Sequence, residues 1–125
     1  MEKLLLVGLG GGIGAMGRYL AAAWIGRLAG AGFMGTMFVN VVGSFLMGVL
    51  AVILLERAGS TSRFAPLLIT GVLGGFTTFS AFSLDALYLI ERGRTGMAAF
   101  YIAGSAGLSI AALFAGLALA RSYAS

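Results

Sequence analysis

Apolar residues run along this chain in long stretches with few interruptions. Leu28–Leu55, Phe64–Leu84 and Thr95–Ala120 carry no charge, and Leu4–Gly26 is broken only by Arg18. A helix of about 20 apolar residues crosses roughly 30 Å of hydrocarbon. The pattern therefore predicts four spans, near residues 4–26, 33–55, 64–90 and 95–120. Polar punctuation separates them: Arg27 to Gly32, the run Glu56–Arg63, and Glu91-Arg92-Gly93-Arg94. Transmembrane β-strands would alternate in polarity over about ten residues, and these runs do not. Pro66, the only proline, falls in the first turn of the third span, where its missing N–H costs little. The predicted fold class is an all-α membrane protein, a single four-helix transmembrane domain over residues 1–125, each helix antiparallel to its sequence neighbours. A cleaved signal peptide is the competing reading of residues 1–26. Its hydrophobic part would be unusually rich in glycine, and three spans would remain.

Composition agrees with lipid as the solvent. Of 125 residues 60% are apolar and 10% charged, where soluble domains average about 25% charged. There is no Cys and no His, which excludes disulfides, thiolate metal sites and imidazole acid–base chemistry. The net charge is +4, but the basic residues are scattered singly, with no aromatic-interleaved cluster to track phosphates, so no nucleic-acid partner is expected. Lys3, Arg57, Arg63 and Arg121 fall on one side of the predicted topology and Arg27, Arg92 and Arg94 on the other. So even a distribution gives the positive-inside rule nothing to act on. Either the chain inserts both ways up, so that opposite copies can pair as an antiparallel dimer, or the weak bias is chance. Four packed helices leave no aqueous lumen, so transport would need an interface. Glycine is 21 of 125 residues. Small residues recur four apart at Gly8/Gly12, Gly10/Gly14, Gly71/Gly75, Ser44/Gly48 and Ser105/Ser109, a spacing that lets membrane helices approach closely.

Gly12-Ile13-Gly14-Ala15-Met16-Gly17 fits G-x-G-x-x-G, but a dinucleotide fold needs an acid about 20 residues on, within a βαβ unit. The next acid is Glu56, so the match reads as a packing face. Arg18, inside the first span, is either an anchor reaching for headgroups or a cation lining a water-filled vestibule. Asn40, near the middle of the second span, suits an interhelical hydrogen bond, and its amide can also donate to an anion. Thr70 to Ser83 is the densest segment. Gly74-Gly75 followed by Thr77-Thr78 is a poor helix centre. A break there must be buried in protein or face water or an ion, and its freed carbonyls can coordinate a hard cation. Phe79 and Phe82 share a face if helix resumes. In the fourth span Tyr101, Ser105 and Ser109 form a drifting polar stripe, for interhelical bonding or for a pore.

Together these strings resemble the Fluc (CrcB) fluoride channel family. Gly14-Ala15-Met16-Gly17-Arg18 is similar to its G-A-x-x-R, and Gly35-Thr36 with Asn40 and Gly43 to its G-T-x-x-x-N-x-x-G. Gly74-Gly75-Phe76-Thr77-Thr78-Phe79-Ser80-Ala81-Phe82-Ser83 is close to its G-G-x-T-T-F-S-T-F-S, departing at Ala81. The resemblance covers nearly the whole chain. It implies no enzyme but a passive fluoride-selective channel, an antiparallel dual-topology homodimer with two pores in a bacterial cell membrane. It also implies a third helix broken mid-membrane and a structural Na⁺ at the dimer interface, held by the main-chain carbonyls of Gly74 and Thr77. Phe79 and Phe82 would turn ring edges to fluoride. Asn40, Ser83 and Ser109 would supply donors, Tyr101 and Ser105 would extend the track, and Arg18 would lie towards a vestibule.

Two other readings compete. A small dual-topology multidrug exporter needs a titratable carboxylate deep in the membrane; the first span has none, and Asp85 follows the third-span signature towards the end of that helix. A membrane assembly subunit without transport activity explains the glycines but not the polar centre of the third span.

Overall fold

In hydrocarbon every backbone polar group must be satisfied within its own segment, so long apolar runs become helices. The computed structural model describes residues 1–57 and 64–124, and among them the secondary structure is helical, with no strand. Helix α1 covers Glu2–Ala29, and α2 covers Gly32–Leu50, continued by wider π-type turns over Ala51–Arg57. The third span opens with π-type turns over Ala65–Leu73, tightens into α3 (Gly74–Phe76) and resumes as α4 (Phe79–Glu91). Helix α5 runs over Thr95–Ala124. Four stretches, Glu2–Ala29, Gly32–Glu56, Ala65–Glu91 and Thr95–Tyr123, are long and apolar enough to cross a membrane. Residues 58–63 of the expected second connector, Arg63 included, lie outside the described residues.

The first connector is shorter than the sequence suggests. Helix α1 continues past Gly26 to Ala29, with Arg27 in its last turn, where a cation complements the negative end of the helix dipole. Gly30 then takes φ 75, a left-handed conformation open to glycine without a Cβ clash. The chain turns back through the Ala31 N–H bond to the Gly26 carbonyl, 3.0 Å. Gly93, also at φ 75, turns the chain after α4, and the Arg94 N–H bonds the Leu89 carbonyl at 2.8 Å.

Packing between helices follows the small residues. A Cβ at Gly10 would collide with the Leu67 carbonyl, and one at Gly14 with that of Val72. From the other side, a Cβ at Gly71 would press on Gly10 and one at Gly75 on Gly11. Helix α1 and the third span thus meet backbone to backbone along a seam that admits no side chain. Gly48 and Gly116 bring α2 and α5 together in the same way, against the Leu113 and Phe45 carbonyls. Gly8 and Gly12 differ: a Cβ at either would meet nothing within 4 Å, so this pair joins no helices inside the chain. The core is small, with Val39, Val52 and Tyr101 its largest fully buried side chains. Leu4, Trp24, Phe100 and Phe114 project outward, as lipid allows.

The ends of the bundle follow from the antiparallel order. Arg121 and Glu56 pair bidentately, 2.7 and 3.1 Å, joining the far ends of α5 and the second span. Both are about half exposed, so the pair contributes little to stability. At the opposite end, the first and third connectors border one cavity.

Candidate functional site

The Thr77 N–H still bonds the Leu73 carbonyl at 3.0 Å, and from Thr78 the helical ladder gives way to side-chain bonds. Thr77 (φ −92, ψ 157) and Thr78 (φ −153, ψ 126) are both extended. The Thr78 N–H donates to Asn40 Oδ1 at 2.8 Å, and Asn40 Nδ2 donates back to the Thr78 carbonyl at 2.9 Å. One amide of α2 therefore satisfies both backbone groups of Thr78. The Thr78 hydroxyl accepts the Ala81 N–H at 3.1 Å and so caps α4. The Thr77 hydroxyl donates to the Leu73 carbonyl at 2.9 Å, and Arg18 Nε donates to the Gly75 carbonyl at 3.2 Å.

These bonds change what is available. In a continuous helix the Thr78 N–H would serve the Gly74 carbonyl, and the Ala81 N–H that of Thr77. Here Asn40 and the Thr78 hydroxyl take those two donors. The carbonyls of Gly74 and Thr77 lose their helical partners, and both residues line an open groove of about 610 Å³ between α2, the third span and α5. Asn40, Phe79 and Phe82 line it too, with Ser105 and Ser109 across from them on α5. Ser105 is 4% exposed, yet its hydroxyl has no hydrogen-bond partner among the described residues. A buried hydroxyl left without a partner is costly, so the groove holds an unused donor.

A ladder of rings leads away from the groove. Phe79 and Phe82 lie 5.6 Å apart between centroids, Phe82 and Tyr101 5.1 Å, and Tyr101 meets Phe33 edge-on at 5.2 Å. The fully buried Tyr101 donates its hydroxyl to Asp85 Oδ2 at 3.2 Å, and Thr36 is buried as well.

The groove thus gathers Asn40, Phe79, Phe82, Ser105 and Ser109 with Gly74 and Thr77, but not Ser83, Tyr101 or Arg18. Ser83 donates to the Phe79 carbonyl of its own helix, 3.0 Å, the usual alternative for a serine four residues along. Tyr101 sits one ring further on with its hydroxyl directed at Asp85. Arg18 is half-buried against the third-span backbone, so it is more than an anchor for headgroups. The interhelical bond expected of Asn40 is present, and it occupies the amide oxygen and one N–H. Sequence reasoning missed the pairing of Asp85 with Tyr101. Asp85 had a signal: an acid in a span is a functional candidate by default, whereas its place towards the helix end led it to be set aside.

The geometry is that of a polytopic helical membrane protein with an open, mostly apolar groove at an interrupted helix. Residues 5–117 match the CrcB-like protein family, Camphor Resistance (CrcB). Among similar proteins, the fluoride-specific ion channel FluC of Cereibacter sphaeroides (strain ATCC 17029 / ATH 2.4.9) is 56% identical over 124 residues, 98% of each chain. The proteins of the same name from Agrobacterium fabrum (strain C58) and Rhizobium meliloti (strain 1021) are 54% and 53% identical over 122 residues, 97% of this chain and 98% of each relative. This chain belongs to the CrcB family.

Proposed function

We propose that this protein is a fluoride-selective channel that lets fluoride leave the cytoplasm passively and so confers resistance to it. One structural observation carries the reading: a groove with neutral donors and aromatic rings, in which the buried Ser105 hydroxyl has no partner among the described residues. The relatives' name, fluoride-specific ion channel, supports it. Fluoride is small and strongly hydrated, so a path must replace its water with several donors without trapping it. The serine hydroxyls of α5 and the remaining Asn40 N–H are such donors. The edges of Phe79 and Phe82 carry the positive rim of the aromatic quadrupole. No carboxylate lines the groove, which favours an anion over the cation of a multidrug exporter. At 100 mV inside negative a monovalent anion gains about 2.3 kcal/mol on leaving, enough to sustain an outward gradient of roughly 40- to 50-fold. No second energy source is needed.

The working unit in this proposal is an antiparallel, dual-topology homodimer in a bacterial cell membrane, with the interruption at Thr77–Thr78 placed mid-bilayer. The groove is open along one side, and Phe79 is 78% exposed in the single chain, so a second copy would complete the path. The carbonyls of Gly74 and Thr77, freed from the helix, fit a hard monovalent cation, since unwound backbone is a usual Na⁺ donor set in membrane proteins. Na⁺ bound by these carbonyls from both copies would satisfy the freed acceptors and place a positive charge at the shared interface. Replacing Na⁺ by an organic cation is expected to loosen the purified dimer, read by size-exclusion. For the function, purified protein is reconstituted in fluoride-loaded liposomes and efflux is followed with a fluoride electrode. Efflux well above empty vesicles, with chloride much slower, is expected; none would remove the channel reading, and equal chloride flux would remove selectivity.

A further inference from the structure

At the end of the bundle where the first and third connectors meet lies a second, smaller cavity of about 280 Å³. It is bordered by Gly32 and Phe33 of α2, by Asp85 and Tyr88 of α4, and by Arg92 and Arg94 just beyond. Both arginines are exposed, and neither forms an ion pair among the described residues. Arg92 rests over the Tyr88 ring, 5.7 Å from its centroid, which holds its guanidinium beside the opening. The cavity also takes in the start of α2, whose cap residue Ala31 offers no side-chain oxygen to the first N–H groups. The Met34 N–H turns to the Ala31 carbonyl at 3.2 Å, while the positive dipole end of α2 remains beside the cavity. On its inner side stands Asp85, half-buried and bonded to Tyr101, the ring that continues the ladder from the groove.

This arrangement has an electrostatic consequence. An anion moving between this cavity and the ring ladder passes the Asp85 carboxylate, whose charge repels it. Two unpaired guanidiniums and a helix N-terminus on the outer side offset that repulsion. We propose that Arg92, Arg94 and the first turn of α2 form an anion-capture mouth, which concentrates small inorganic anions of any kind before selection occurs further in. The inference rests on the channel reading, and it divides the work: the mouth sets supply and the groove sets preference. Exposed charges act over a Debye length of about 30 Å at 10 mM salt and under 5 Å at 0.5 M, so capture is a low-salt effect.

The test uses the full dimer, purified, sized and reconstituted, with fluoride held constant and ionic strength set by an impermeant salt. Wild-type efflux is expected to fall about three- to ten-fold between 10 mM and 0.5 M salt, the range of modest electrostatic steering. R92Q/R94Q should be slower by a similar factor at low salt and equal to wild type at high salt. R92K/R94K should retain most of the low-salt rate. A flat wild-type profile overturns the proposal without needing any variant. So does a loss in R92Q/R94Q that is the same at every salt concentration. Absent wild-type efflux would instead remove the channel reading itself.

Discussion

The third span has two faces built on opposite principles. Towards α1, Gly71 and Gly75 meet Gly10, Gly11 and Gly14 with no room for a single added carbon. Towards α2 and α5, the same segment opens a groove and gives up its helical hydrogen bonds to side chains such as Asn40. The closed face is held mainly by contact, with the Arg18 bond to the Gly75 carbonyl beside it, and the open one by a few directional bonds. The comparison suggests how a span this short can carry an irregular centre. Rigid packing behind the interruption fixes Gly74 and Gly75, so that one amide in front suffices to hold Thr78.

Substitutions on the two faces should therefore fail differently. Gly14→Val is expected to be the most damaging, because the obstacle is the Val72 backbone rather than a movable side chain. A loss above about 3 kcal/mol, at the upper end for overpacking, should leave no monodisperse protein on size-exclusion. Recovery of a normal dimer would show that the seam yields. Asn40→Leu comes next. It strands the Thr78 N–H and carbonyl, each worth about 1–3 kcal/mol when buried unpaired, and thermal unfolding should reveal a destabilised protein with efflux reduced at least ten-fold. Phe82→Ile and Phe79→Ile keep apolar bulk but remove ring edges. Fluoride efflux should drop while the dimer purifies intact, and wild-type rates in both would return the rings to a packing role. Ser105→Ala should have the smallest structural effect. Removing a buried hydroxyl without a partner leaves stability unchanged or slightly raised, yet efflux should fall several-fold. Unchanged efflux would detach Ser105 from the path.

The spans were legible in the sequence because hydrocarbon thickness dictates length, and the four membrane-capable helices fall within a few residues of the expected ranges. The seam was half legible. Glycine spacing marked Gly10/Gly14 and Gly71/Gly75, but the same spacing marked Gly8/Gly12, which meet nothing within the chain. Spacing says which backbones can approach, not which do. The clamp joining Asn40 to Thr78 could not be read, since two residues so distant in sequence become partners only after α2 and the third span pack. Ser83 illustrates the converse. Its hydroxyl has a local acceptor in the Phe79 carbonyl four residues back, and Ser83 is not among the residues that line the groove. Asp85 and Tyr101 were separately visible, but their pairing depends on the approach of α4 to α5.

The turn at Gly30 and Ala31 has a consequence for biogenesis. Only these two residues separate the end of α1 from the start of α2, a reach of at most roughly 10 Å. In the folded protein such a tether keeps the start of α2 beside the end of α1, so the two spans are bound to run as one hairpin. Whichever way up that hairpin settles, the later spans inherit its choice.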